Sequence, residues 1–109
     1  MSYYRPLPSN LTIKKSTIEG LGLFATQFIP TGTDLGMTHV YDERFENNYI
    51  RLPLGGFFNH SENPNCKIIK SLVDEKGNSN LHLRLITIKD IKAGEEITAK
   101  YTLYNPTLN

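Results

Sequence analysis

Asn59-His60-Ser61 and Tyr101 are the residues of this chain whose types could do chemistry. Asn59 and His60 follow the apolar, glycine-rich Leu54-Gly55-Gly56-Phe57-Phe58 and precede the turn-forming Asn63-Pro64-Asn65. Buried amide and imidazole groups are unfavourable unless hydrogen-bonded. The pair therefore either bonds local backbone around the Asn-Pro turn or offers its polar atoms to a ligand. His60 and Ser61 have the types of a base and a nucleophile, but adjacent strand residues point to opposite faces and cannot easily bond each other. The scattered histidines and the single cysteine, Cys66, show no ligand spacing, so no metal is expected. Tyr101 can pack its ring in a core with the hydroxyl at the rim. A third candidate is Gly20-Leu21-Gly22, two glycines bracketing one side chain, where backbone can approach a ligand closely. It is no dinucleotide fingerprint, because no third glycine, helix or βαβ unit follows.

The elements that must position these residues are mostly strands and turns. Leu11 and Ile13 alternate with polar neighbours, and Thr17-Ile18-Glu19 turns through the glycine pair into Leu23-Phe24-Ala25. Cys66 to Val73 and Leu81 to Ile88 flank the polar, glycine-bearing stretch Asp74 to Asn80, which reads as a hairpin loop. Leu81, Leu83 and Leu85 alternate, then Ile86 and Ile88 take the opposite phase; this predicts a bulge or a strand buried on both faces. Asp42 to Asn48 reads as a loop or one helical turn, and no longer stretch has a helical period. Ile29-Pro30-Thr31-Gly32-Thr33-Asp34-Leu35 parallels Ile91-Lys92-Ala93-Gly94-Glu95-Glu96-Ile97, a weak repeat that two hairpin corners would explain.

The chain has 109 residues, enough for one domain with a single modest core. A formal net charge of +1 with dispersed Lys and Arg argues against nucleic acid as a direct partner. No apolar run approaches a membrane span, and the first residues lack a signal-peptide pattern. One cysteine excludes an internal disulfide. A soluble, intracellular protein is the simplest expectation.

Gly56-Phe57-Phe58-Asn59-His60-Ser61, then Pro64-Asn65-Cys66, together with Gly94-Glu95-Glu96-Ile97-Thr98-Ala99-Lys100-Tyr101, resemble the signature motifs of the SET-domain protein lysine methyltransferases. Gly20-Leu21-Gly22-Leu23-Phe24 matches a third motif, in the right order, and the resemblance runs from about Leu11 to Tyr101. It implies a mainly β SET fold, a β-clip of short strands in small sheets with a knot-like C-terminal threading. The implied layout is an N-terminal extension over 1–10, a SET domain over 11–104 and a C-terminal tail over 105–109. The implied activity is transfer of a methyl group from S-adenosylmethionine to a lysine side-chain amine of a protein or peptide. By position, the resemblance gives cofactor contacts to Gly20, Leu21, Gly22, Leu23, Phe24, Asn59 and His60, and the catalytic role to Tyr101. Tyr49 and Tyr104 are the candidates for the walls of the lysine channel.

This chain departs from the family pattern at several places. Gly56 stands where many members have arginine, Glu62 replaces a frequent cysteine, and Lys100 replaces a frequent aspartate. The zinc-binding cysteine clusters of many histone methyltransferases are absent. A non-catalytic SET-like β-clip binding module and a scaffold subunit are the alternatives. Apolar residues such as Tyr3, Tyr4, Leu7, Phe28 and Tyr41 suit an isologous homodimer, or a site closed by the substrate peptide as an added strand.

Overall fold

The computed structural model describes residues 7–45, 48–73 and 79–100. β1 (Leu11–Lys15) and β2 (Leu21–Ala25) form an antiparallel ribbon in the register Leu11↔Ala25 to Lys15↔Leu21. The turn between them is organised by Ser16. Its amide donates to the Gly20 carbonyl at 2.8 Å, and its hydroxyl accepts from the Ile18 amide at 2.9 Å. Leu11, Leu23 and Ala25 carry the buried face of the ribbon.

β3 (Asp34–Tyr41), β4 (Tyr49–Arg51), β6 (Cys66–Val73) and β7 (Ser79–Thr87) build an antiparallel sheet in the order β4-β3-β7-β6. The two long segments expected to flank a loop pair as the hairpin β6–β7, and residues 74–78 lie outside the described part. At the change of phase after Leu85, β7 runs in continuous register with β6. The irregularity lies in β3, which slips between Asp34 and Gly36 and again between Met37 and His39. β7 is one of the two inner strands; Leu83, Leu85 and Thr87 keep one buried phase with His82 buried on the other face, while Ile86 is half-buried and Ile88 exposed.

The segment after Tyr41 closes as a turn, with the Asp42 amide donating to the Asn48 carbonyl at 2.9 Å. A short helix, α1 (Pro53–Phe57), follows β4 and packs on β3. Sequence periodicity did not show it, because five residues are too few for a helical stripe. Pro53 at the start of the helix, where a missing N–H does no harm, was the available signal. The helix delivers the chain to β5 (Asn59–His60), which pairs in parallel with β8 (Thr98–Ala99).

The two halves of the weak repeat meet each other. Ile29 and Ile91 exchange reciprocal backbone hydrogen bonds of 2.8 Å, and both side chains are fully buried. Gly32 and Gly94 hold φ values of 84° and 90° in the two corners, a region that favours glycine. The pair sits in one core cluster with Leu23, Leu35, Leu54, Phe58, Leu85 and Ile97, which joins the ribbon, the sheet and α1. Each fully buried leucine or isoleucine contributes about 1.5–3 kcal/mol.

Candidate active site

Residues 95–99 run between β2 on one side and β5 on the other. The Ala25 amide donates to the Glu95 carbonyl at 2.9 Å, and the Ile97 amide to the Leu23 carbonyl at 2.8 Å. Across the other flank, Asn59 pairs with Thr98 and His60 with Ala99, and the Ser61 amide donates to the Ala99 carbonyl at 3.2 Å. The Asn65 side chain clamps this segment. Its Nδ2 donates to the Glu96 carbonyl at 2.8 Å, and its Oδ1 accepts from the Thr98 amide at 2.9 Å. The three motifs singled out in the sequence therefore lie side by side.

At their junction Asn59 Nδ2 lies 2.7 Å from Glu96 Oε2 and 3.0 Å from Ser16 Oγ. The Glu19 and Leu21 carbonyls stand 3.2 and 3.4 Å from the same nitrogen. Ser16 Oγ in turn lies 2.8 Å from both Glu96 oxygens. Gly22 forms the floor. A Cβ there would press into the Glu96 carboxylate, 3.0 Å from its Cδ and 3.2 Å from Asn59 Nδ2. Only glycine leaves room for the Glu96 carboxylate to lie against this strand. One amide with two hydrogens faces a carboxylate, a hydroxyl and two carbonyls, so acceptors outnumber donors. Acceptor oxygens therefore crowd this junction.

Leu23 is fully buried in the core, whereas Leu21 and the ring of Phe24 are open to solvent to different degrees. Lys14 Nζ lies 5.2 Å from the centroid of the Phe24 ring. His60 turns away from the notch: its Nε2 is 2.6 Å from Glu62 Oε2, while Glu62 Oε1 is 3.2 Å from Lys100 Nζ. The His60 hydrogen bond first, then the hydrogen bond and charge of Lys100, hold the Glu62 carboxyl below its ordinary range.

Tyr49 lies on β4 opposite Tyr41, its ring edge-on to Tyr41 at 5.8 Å and to His39 at 6.1 Å. Burial, and secondarily Tyr41, raises its hydroxyl above the usual phenol range. His39 is buried, with Nδ1 2.8 Å from Thr38 Oγ1; desolvation first and the Arg51 charge second lower it to about 4. Tyr101 and Tyr104 lie outside the described residues. Burial pushes the Cys66 thiol up to about 12, which leaves it unreactive at neutral pH. Among the described residues no group of His, Cys, Asp and Glu is arranged to hold a metal ion, and no helix is long and apolar enough to cross a membrane.

Ser16, Asn65 and Glu96 were not among the sequence-derived candidates. Glu96 stood inside a quoted motif, but its partner Ser16 is 80 positions away and nothing local points to it. Asn65 was visible only as a turn residue beside Pro64.

The fold and the three-segment junction define a SET-type domain. A family model described as SET domain matches residues 34–102, more than half of the chain. The chain belongs to the SET-domain family. The glycine motif precedes the matched span and joins the site through β2. A histone-lysine N-methyltransferase, H3 lysine-36 specific, of Aspergillus oryzae (strain ATCC 42149 / RIB 40) is 44% identical over 50 residues. That match covers 46% of this chain and 5% of the relative, so the chain spans about a twentieth of that protein. Two solved structures resemble the fold. One is a candidate histone methyltransferase of Plasmodium falciparum, with TM-score 0.68 and 23% identity over 84% of this chain and 96% of the other. The other is the Chaetomium thermophilum Polycomb Repressive Complex 2 in an autoinhibited conformation bound to S-adenosylmethionine, with TM-score 0.68 and 22% identity over 88% of this chain and 15% of that one.

Proposed function

We propose that this chain is an S-adenosylmethionine-dependent protein lysine N-methyltransferase. The observation that carries the reading is the acceptor-rich notch of Gly22, Asn59, Glu96 and Ser16, built where the three motifs meet. The donor set present fits the cofactor: its amino-acid end bears an ammonium group, and a carboxylate, a hydroxyl and backbone carbonyls meet at this junction. When bound, S-adenosylmethionine supplies a methyl group on a positively charged sulfur. Glu96 and Ser16 offer acceptors to the ammonium group, and Asn59 can donate its amide to the carboxylate beside it. The backbone of Gly20 to Phe24 and of His60 lines the approach.

The other half of the reaction concerns the acceptor lysine. Its amine must be neutral to attack, and from a pKa near 10.4 this costs about 4–5 kcal/mol at pH 7. Apolar, aromatic walls lower that pKa by penalising the ammonium form. Tyr49 and Tyr104 are the proposed walls. Tyr101 orients the amine lone pair, a positioning role that needs no strong base. The Aspergillus relative is described as specific for lysine 36 of histone H3, which makes histone H3 the first substrate to try.

The test uses methyl-labelled S-adenosylmethionine with histone H3 and with a mixed protein extract. Methylated lysines should be found by mass spectrometry. Tyr101→Phe should retain cofactor binding and lose roughly 10²–10⁴-fold in turnover. Single-turnover rates equal to wild type would remove Tyr101 from the mechanism. A protein that ignores both the cofactor and its demethylated product in calorimetry would instead be a binding module or scaffold subunit. Phe28 and Tyr41 are exposed, which keeps a homodimer as part of the proposal; sedimentation velocity at micromolar concentration decides it.

A further inference from the structure

Directly opposed residues of the β1–β2 ribbon share a face, and neighbours along each strand alternate between faces. Leu11, Leu23 and Ala25 take the core face. The other face carries Lys14 opposite Gly22 and Thr12 opposite Phe24. Glu96 bridges to Phe24 from the far side of β2 and lays its carboxylate against Gly22. That carboxylate fills the place of the Cβ that Gly22 lacks, its Cδ 3.0 Å from the point. The Lys14 side chain springs from a position one strand spacing away, a gap that a four-carbon stem can cross. Lys14 is exposed, and its Nζ rests over the Phe24 ring, 5.2 Å from the centroid. A cation over a ring at an exposed site is held weakly. The neighbouring Lys15 pairs with Leu21 and takes the opposite face.

We propose that Lys14 is a further cofactor-binding residue, which leaves the Phe24 ring and pairs with the carboxylate of S-adenosylmethionine. The proposal rests on the lysine methyltransferase reading of the site. The amino-acid end of the cofactor carries both charges, and the junction serves them unequally. Its ammonium meets the acceptors of Glu96, Ser16 and the backbone. Its carboxylate arrives beside the like charge of Glu96, and the amide nitrogen of Asn59 already lies 2.7 Å from Glu96 and 3.0 Å from Ser16. A cation on the same face offsets that repulsion and adds donors where acceptors are in excess. Lys14 stands on that face, across β2 from Glu96, and surrenders only a weak contact in moving.

Calorimetry on the full chain tests this with two ligands, S-adenosylmethionine and its decarboxylated analogue, which keeps the ammonium and the sulfonium but has no carboxylate. Wild type, Lys14→Gln and Lys14→Arg are titrated with each. Lys14→Gln should bind S-adenosylmethionine about threefold to tenfold more weakly, between the effect of an exposed ion pair and that of a charge-assisted hydrogen bond. Lys14→Arg should return to within about twofold of wild type, because a guanidinium also serves a carboxylate. The decarboxylated analogue should bind wild type and Lys14→Gln within about twofold of each other, since the partner of Lys14 is missing from it. The loss on S-adenosylmethionine should shrink at high salt. Urea midpoints of the three proteins should agree closely, as the side chain is exposed. Equal weakening toward both ligands overturns the proposal, because Lys14 would then act without touching the carboxylate. No weakening overturns it as well, and so does tighter binding by Lys14→Gln, which would make Lys14 a competitor of the ligand for Glu96. All three results leave the enzyme reading intact. A wild-type protein that binds neither ligand fails at the earlier step: it refutes the methyltransferase reading, and the role of Lys14 with it.

Discussion

Replacing Gly22 by alanine probes the notch directly. The new methyl group would occupy space held by the Glu96 carboxylate, 3.0 Å from its Cδ, and would also sit 3.2 Å from Asn59 Nδ2. The obstacle is the end of a flexible side chain, so the fold can accommodate the change by swinging Glu96 out. That movement breaks the contacts of Glu96 with Ser16 and Asn59, at 2.8 and 2.7 Å. Hydrogen bonds to charged groups contribute about 1.5–3 kcal/mol each, and partial exposure here favours the lower end. Gly22→Ala should therefore lower stability by roughly 2–4 kcal/mol. In a Glu96→Ala background those bonds are already gone. The same alanine should then cost less than about 1 kcal/mol, the residue of the tight Asn59 contact. The four proteins of this cycle are compared by urea denaturation at constant m-value, with a coupling of about 1–3 kcal/mol expected. Equal costs in the two backgrounds would refute the argument that Glu96 is what Gly22 makes room for.

Two further predictions follow from buried polar groups. His39 is lowered to about 4 from 6.5, so between these values the unfolded chain binds the extra proton; stability is fully present above pH 6.5 and falls by up to about 3 kcal/mol as pH drops towards 4. Urea midpoints at pH 7 and pH 4.5 measure this, and His39→Gln should flatten the dependence; a wild-type midpoint unchanged by pH would sink the assignment. Asn65→Ala removes the partners of the Glu96 carbonyl and the Thr98 amide, at a cost of about 1–3 kcal/mol for each group left unsatisfied. Hydrogen exchange at Thr98 should quicken relative to β7, and undiminished protection would show that Asn65 is not the clamp.

How legible the molecule was depends on distance along the chain. The ribbon, the β6–β7 hairpin and the repeat corners are local patterns, and alternation with turn residues was enough to find them. Gly20-Leu21-Gly22, Asn59-His60 and Gly94 to Tyr101 could be read as candidates because their types are unusual beside apolar neighbours and because together they resemble a family. That Glu96 closes on Gly22, Asn59 and Ser16 was not legible, since strand alternation says which face a residue takes but not what waits there. The change of phase in β7 was seen, but its cause was split between bulge and burial. Only the register with both neighbours showed that, opposite Leu83 to Ile86, the extra residues belong to β3. The five-residue α1 fell below the length at which periodicity carries information.

The pairing of Ile29 with Ile91 has a consequence for how the chain is made. Leu23 and Ala25 of the ribbon, and Ile29 beyond it, leave the ribosome long before their partners in 91–99 exist. At roughly 5–20 residues per second, the interval lasts several seconds. Throughout it the outer edge of β2 has unsatisfied backbone and an apolar face with no cover, the arrangement that invites pairing with a neighbouring chain. Contacts so distant in sequence also fold slowly once the chain is complete. Yield in a heterologous host should thus be limited by what happens before residue 97 emerges, and lowering the temperature or supplying chaperones should raise soluble yield more than stabilising the finished domain does.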